Sequence, residues 1–498
     1  MSKKFDASKA ETVETQEQGD LLDKILNEGG MVRDAGQVGR AKDTLKDLLK
    51  GLKNKDIAVS KNLEAAIKAR IAAIDEIVSE QLNEIMHHPD FQRLEASWRG
   101  LHYLVDKSET GQMLKIRVLN TSKRDLLRDF ERSPEFDQSA LFQKVYEEEF
   151  GTFGGDPFGA LIGDYEFSNH PEDIQLLTRI SEVAASANAP FISAAAPELF
   201  GWNSFTRMSK QRDMAKIFDG VEYAPYKSFR ASDNSRYVGL CLPHVLMRLP
   251  YGRDTATTDT FNFEEDVDGR EHTKYLWGNA AYAFATRLTE SFAKYQWCAA
   301  IRGVEGGGLV LDLPSHTFDT DEGDVAQKCP TEISIPERRD KELSDLGFIP
   351  LVHCKNTDYA AFFAAQSCHK PPRYDSDYAN ANARISTQLP YMFAVSRFAH
   401  YLKAMMRDKI GSFMSRADCE QFLNQWIMNY VTEDDTATPE TKAQFPLRDA
   451  RIEVKDVPGK TGVYHAVAFL RPHYQLDELT ISLRLVAELP PAVRGEGG

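Results

Sequence analysis

Apolar and polar positions alternate along this chain with three distinct periods. Between residues 60 and 86, Ile67, Ile71, Ile74, Val78, Leu82 and Ile85 recur at spacings of three and four, which predicts a long amphipathic helix. The stretch HHPDFQRLEASWRGLHYLVDK continues as a second helix, with His87, His88 and Pro89 separating the two. From LKIRVLN (114–120) the apolar runs shorten to strand length and alternate with helices such as KRDLLRDFE. FGALIGDYEF (158–167), APFISAAA (189–196) and YVGLCLP (237–243) read as buried strands, so the central region is expected to be mixed α/β. Two strongly apolar stretches, 275–301 and 389–406, predict core helices, and 418–431 predicts a last helix before a polar, Pro-containing linker.

Beyond that linker the period falls to two. RIEVKDV (451–457) joins YHAVAFL (464–470) through PGKTG, a hairpin turn, and TISLRLVAEL (480–489) follows as a further strand. Val467 and Phe469 point one way, and Ala466, Ala468 and Leu470 the other. In the last strand Ile481, Leu483, Leu485 and Ala487 share a face opposite Thr480, Ser482, Arg484 and Glu488. No further strand follows to cover the outer edge, and an open edge offers backbone groups to any other chain.

The other end is polar over residues 1–18 and then reads GDLLDKILNEGG. Leu21, Leu22, Ile25 and Leu26 form a narrow apolar stripe, Asp20 can cap the start, and Gly29 and Gly30 end it. A helix this short needs a groove to lie in, either in its own core or in another protein that reads it as a linear motif. The expected organisation is multi-domain: an N-terminal arm (1–59), a central α/β body (60–378) and a C-terminal domain carrying the strands (379–498).

Composition narrows the classes. The formal net charge of −15 argues against nucleic acid as a partner, which wants clustered Lys and Arg. Six scattered cysteines without a C-x-x-C pair fit a reducing cytoplasm, and no run approaches the roughly eighteen apolar residues of a membrane span. The N-terminus lacks the apolar stretch of a signal peptide. Glycine-rich FGTFGGDPFG (150–159) and VEGGGL (304–309) invite a phosphate-loop reading but lack the G-K-[ST] ending and G-x-G-x-x-G. Glu84, His87 and His88, or His353-Cys354 with Cys368-His369, match no familiar zinc spacing. No G-x-S-x-G is present. Neither a cofactor nor a metal is expected, and the rival to a structural role is an α/β metabolic enzyme binding a phosphorylated ligand.

Several long stretches together resemble one family, the large subunit of the type VI secretion system contractile sheath. They are FQRLEASWRGLHYLVD, FGTFGGDPFGALIGDYEF, APFISAAAPELFG, YLWGNAAYAFATRLTESFAKYQWC, TQLPYMFAVSRFAHYLK and IEVKDVPGKTG with FLRPHYQLDELTISLRLVAELP. The resemblance implies a non-enzymatic, cytoplasmic subunit that pairs with a small sheath subunit. Neighbouring heterodimers would build a helical sleeve on a baseplate, contracting around an inner tube protein. It further implies that Ile452, Val454, Val467, Phe469, Ile481, Leu483 and Leu485 belong to strands shared between subunits. A AAA+ ATPase would read the helix bearing Leu21, Leu22, Ile25 and Leu26, and Arg397, Lys403, Arg407 and Lys409 are candidates to hold the tube.

Overall fold

The computed structural model describes residues 63–475 except 253–254, 257–262, 320–322, 413–414, 435, 457 and 459–463, together with Gly39 and Asp43. The chain forms two compact units, one ending at Gln81 and the other running from Leu82. Helix α1 (Leu63–Met86) carries the expected apolar stripe, yet Ile71, Ile74, Val78 and Ile85 are all exposed. Helix α2 (Pro89–Asp106) starts where His88 Nδ1 accepts the Asp90 N–H at 3.2 Å. Pro89 at its first position has no N–H to leave unsatisfied.

LKIRVLN does not form the expected strand. Among the described residues it has no strand partner, Val118 and Leu119 are exposed, and Arg117 is held by Glu149. Apolar alternation alone does not pair a strand when no neighbour is within reach. Helix α3 (Lys123–Arg132) follows, capped by Ser122.

The central sheet is all parallel, in the order β1 (Leu161–Phe167), β2 (Phe191–Ala195), β3 (Val238–Leu242) and β4 (Ile349–Pro350). Helix α4 (Pro171–Ala187) makes the crossover from β1 to β2. Helix α5 (Ala280–Tyr295) packs on β1, β2 and β3. Alternate strand residues divide between two cores: Phe191, Ala195, Val238, Leu240 and Leu242 join the α4 side, while Ile192, Cys241 and Ile349 join Phe284 and Leu288 of α5. Strands covered on both faces are apolar at nearly every position, which is why the β2 and β3 segments read as continuous runs.

The 275–301 stretch is shorter as a helix than its apolar pattern predicts. Asn279 caps α5 by accepting the Ala281 N–H at 2.8 Å, and Gln296 ends it in the left-handed conformation at φ 66°. Helices α2 and α5 approach closely at Gly100, where a Cβ would lie 2.3 Å from the Tyr282 ring.

A buried ionic cluster ties this body together. Glu332 accepts the Ser204 hydroxyl at 2.6 Å and the Phe205 N–H at 3.0 Å, and it pairs with His244 Nδ1. His244 Nε2 lies 2.9 Å from Glu166 at the end of β1. Burial alone would lower the His244 pKa, but its bonds to Glu166 and Glu332 outweigh that and raise it to about 10. Burial likewise pushes Glu332 up, and the bonds from His244 and His272 more than reverse it, holding the carboxyl well below its usual range.

Helix α6 (Leu389–Asp408), helix α7 (Arg416–Ile427), strand β5 (Leu447–Asp456) and strand β6 (Tyr464–Pro472) build a separate hydrophobic cluster. Trp297 stacks on Phe398 at 4.4 Å between ring centroids, and Trp426 and Tyr430 complete the aromatic centre.

Candidate inter-subunit strand site

Strands β5 and β6 pair antiparallel from Asp449 opposite Arg471 to Asp456 opposite Tyr464. On the inner face Ala450, Ile452 and Val454 are buried, with Ile452 fully inaccessible, while Ala466, Ala468 and Leu470 across from them are only half-buried. On the outer face Phe469 is exposed and lies under the Arg451 guanidinium, 5.2 Å from the ring centroid. The period-two reading of β6 is therefore correct in both directions.

The two long edges of this hairpin differ. Asn424 on α7 donates from Nδ2 to the Ile452 carbonyl at 2.7 Å and accepts the Ile452 N–H on Oδ1 at 2.9 Å. Glu420, one turn earlier, accepts the Val454 N–H at 3.0 Å. Residues directly opposite in an antiparallel pair alternate between exchanging backbone bonds and facing them outward. Since Ile452 and Val454 turn their backbones toward α7, their partners Ala468 and Ala466 turn theirs away from β5. Leu470, opposite Ala450, follows the same register. Among the described residues no partner meets the outward backbone groups of Ala466, Ala468 and Leu470.

Val467 and Phe469 face their backbones to Glu453 and Arg451 of the same chain, and those of Ile452 and Val454 are taken by α7. The outward groups belong to Ala466, Ala468 and Leu470, which the sequence reading placed on a face but did not single out. Asn424 and Glu420 were also missed. Their signal is a polar i, i+4 pair beside Cys419, Leu423 and Ile427, the buried stripe of α7. Ile481, Leu483 and Leu485 lie outside the described residues, as do Leu21, Leu22, Ile25 and Leu26.

The four cations on and after α6 are placed against their own chain. Arg397 lies over the rings of Phe292 and Tyr401, and Lys403 Nζ sits 3.5 Å from the Phe150 centroid. Arg407 donates to the carbonyls of Thr152 at 2.6 Å and Phe150 at 2.9 Å, and Lys409 lies over Phe422. Their geometry explains why these charges fall on a core helix without making it a solvated face.

Several amides of the glycine-rich stretches are already occupied by their own chain. The Gly303 N–H is given to the Phe362 carbonyl at 2.7 Å and the Gly308 N–H to Gly303 at 2.8 Å. At Gly307 a Cβ would sit 2.3 Å from the Ala300 carbonyl, so close backbone packing accounts for that glycine. In the other loop the Asp156 N–H already meets a carboxylate, Glu149, at 2.8 Å. Among the described residues no group of three or more His, Cys, Asp or Glu could hold a metal ion. His87 turns to Glu265 at 3.4 Å and His369 to the Ser232 carbonyl at 2.9 Å. Among the described residues no helix is long and apolar enough to cross a membrane.

Comparison with known proteins gives a consistent answer. Residues 68–369 match the EvpB/VC_A0108 tail sheath N-terminal domain, and residues 378–489 match the EvpB/VC_A0108 tail sheath gpW/gp25-like domain. The type VI secretion system sheath protein TssC1 of Pseudomonas aeruginosa PAO1 is 51% identical over 437 residues, covering 87% of this chain and 88% of that protein. Among solved structures, the anti-feeding prophage baseplate matches 63% of this chain and 66% of its own at 8% identity and a TM-score of 0.36. The contracted helical sheath of the same particle matches 62% and 66% at 10% identity and a TM-score of 0.30. With two sheath models spanning most of its length and a sheath protein identical at half the aligned positions, this chain belongs to the EvpB/VC_A0108 tail sheath family, the large subunits of the type VI secretion sheath.

Proposed function

We propose that this chain co-assembles in the cytoplasm with a small sheath subunit, and that the heterodimers polymerise from a baseplate into a sleeve that contracts around an inner tube. The observation that carries this reading is the C-terminal hairpin, which is anchored on its own core yet leaves backbone donors and acceptors facing outward along β6. A strand added there forms several backbone bonds, each contributing about 0.5–1.5 kcal/mol net, and every subunit of a polymer repeats them. The apolar seam of α1 supports the heterodimer. Ile71, Ile74, Val78 and Ile85 at helical spacing form a contiguous exposed stripe suited to a helical partner. The N-terminal stripe Leu21, Leu22, Ile25 and Leu26 is suited to recognition by a disassembling AAA+ ATPase. The family relation favours a non-enzymatic role over a phosphate-binding one.

Co-expression with a small sheath subunit, followed by negative-stain microscopy, tests the proposal. Tubules are expected from the pair, and aggregation from this chain alone. A discrete monomer that melts cooperatively alone and is stabilised by phosphorylated metabolites would overturn it.

A further inference from the structure

Nothing in the segment QKVYEEEF (Gln143–Phe150) forbids an α-helix, since it contains neither glycine nor proline. The segment nonetheless winds as a π-helix, ending where the Gly151 N–H reaches back five residues to the Tyr146 carbonyl at 2.6 Å. Such wide turns are rare and recur at functional sites. Its start is fixed to the body. Ser139 accepts the Phe142 N–H at 3.1 Å, and the Asp129 carboxylate accepts the N–H groups of Ala140 and Leu141 at 3.0 and 3.1 Å. Phe142 and Val145 are buried in the core on the α4 side of the sheet.

The end of the π-helix is held by α6. The rings of Phe142, Tyr146 and Phe150 form one row, with successive centroids 4.7 and 5.3 Å apart. His400, Lys403 and Arg407 share one stripe of α6 and close on the end of that row. His400 packs on Phe150 at 5.1 Å and gives its Nε2–H to the Ala187 carbonyl, the last of α4, at 2.8 Å. Lys403 Nζ lies 4.7 Å from the Tyr146 centroid and 3.5 Å from that of Phe150. Arg407 donates to the carbonyls of Phe150 and Thr152 at 2.9 and 2.6 Å. Glu147, Glu148 and Glu149 stand at this negative end of the helix, where acidic side chains are unfavourable and cations favourable. The other stripe of α6, with Phe398, Tyr401, Leu402 and Met405, packs in the cluster of α7, β5 and β6. One helix thus joins the terminal cluster to the wide turn.

We propose that Gln143–Phe150 is a two-register element, wound as π while Lys403 and Arg407 hold its end and as α once they release it, and that it couples the terminal cluster to the central body. In the α register the backbone bonds shift by one residue, so Phe150 and its carbonyl leave Lys403 and Arg407. A shift of α6 with the terminal cluster is then felt at Phe142 and Val145 in the body, and rewinding of the turn is felt at α6. Coupling of this kind is reciprocal. The contacts all lie within one chain, so the inference stands whatever the terminal strands pair with.

Amide hydrogen exchange on the full chain, co-expressed with its small subunit, tests this. In Lys403→Met with Arg407→Met, the amides of 148–151 should exchange at least about tenfold faster than in wild type. Those of Ile452 and Val454, which α7 accepts, should exchange about threefold faster or more, while Ile192 and Leu240 of the central sheet do not change. Deleting Glu148 removes the residue that the wide turn accommodates, so the helix closes as α with both ends in place. In that background, Lys403→Met with Arg407→Met should leave the exchange of the helix unchanged.

Unchanged exchange at 148–151 in the double variant would show that the two cations hold nothing there. A change confined to 148–151 would make the contact a local cap and refute the coupling. Loss of soluble heterodimer from the double variant would make Lys403 and Arg407 ordinary supports of the core, and its loss on deletion of Glu148 would show that no α register is available. Either result overturns the proposal, as would a deletion background in which the double variant still speeds the helix amides.

Discussion

The central sheet and the terminal hairpin solve the same problem in opposite ways. In the sheet, β2 and β3 are covered on both faces, and even the Ser193 hydroxyl is occupied by the carbonyls of Gly163 and Tyr165 at 2.8 and 2.7 Å. The hairpin rests one face on a core, has α7 side chains on Ile452 and the Val454 N–H along one edge, and leaves the outward groups of Ala466, Ala468 and Leu470 unmet among the described residues. Burial and satisfaction within one chain make a rigid body. Withholding them at one line of backbone groups leaves the edge that the proposed joint between subunits would use. Damage in the sheet should therefore abolish folding and assembly together, whereas damage at the β6 edge should separate them.

The largest effect is therefore expected in the sheet's support. Phe284 on α5 is wholly buried and meets Phe362 edge-on at 5.2 Å. Phe284→Ala should cost about 3–5 kcal/mol, visible as loss of soluble heterodimer and of sleeves alike. Sleeves at wild-type yield from this variant would show that the sheet does not need this support.

Next comes the ionic cluster at the end of β1. His244→Gln leaves Glu332 and Glu166 without their cation and should cost about 3 kcal/mol, near the low end for breaking a buried pair because His244 retains slight exposure. The pH dependence has a definite sign. The folded-state pKa of His244, about 10, lies above its ordinary 6.5, so its contribution is complete below about 6.5 and is lost as pH rises toward 10. Glu332, held below its ordinary 4.5, contributes above that value and loses its contribution in acid. The melting-temperature gap between wild type and His244→Gln should be widest near pH 6 and narrow steadily to pH 10. A gap that widens with pH would reverse the assignment.

How far each region was legible follows from the same contrast. The strands of the sheet could be read because burial on both faces writes continuous apolar runs into YVGLCLP and APFISAAA. The alternation of β6 could be read because one face is wet. What the sequence did not reveal depends on contacts between distant segments. LKIRVLN has strand composition but no strand beside it among the described residues, and a pattern carries no information about the neighbour. Arg397, Lys403 and Arg407 looked available as charges because rings and carbonyls from residues near 150 and 292 could not be foreseen. Asn424 was invisible for the same reason: its role exists only because α7 lies alongside Ile452, 28 residues away.

A smaller effect sharpens the difference between the two faces of β5 and β6. Ile452→Val removes one methylene from a fully buried site and should cost about 0.5–1.5 kcal/mol. Sleeves should persist, because the backbone of residue 452 stays with Asn424. A loss of sleeves at an unchanged heterodimer melting temperature would show that this side chain, and not only the edge of β6, reaches a neighbour.

The smallest effect is expected where the hairpin faces away from its core. Phe469 is 47% exposed, and its ring lies under the Arg451 guanidinium on the adjacent strand. An exposed cation–π pair contributes about 0.5–1 kcal/mol, and threonine retains the preference for an extended backbone. The backbone groups of residue 469 face β5, so the substitution leaves the outward ladder of Ala466, Ala468 and Leu470 intact. Phe469→Thr should then lower the melting temperature of the heterodimer by about 2 °C or less and give sleeves of wild-type length. Ala468→Pro, one residue away, should do the opposite, sparing the heterodimer and removing the sleeves. If Phe469→Thr abolishes sleeves while the heterodimer is unaffected, the joint between subunits lies on the outer face of the hairpin, and the unmet edge of β6 is not what a neighbouring chain completes.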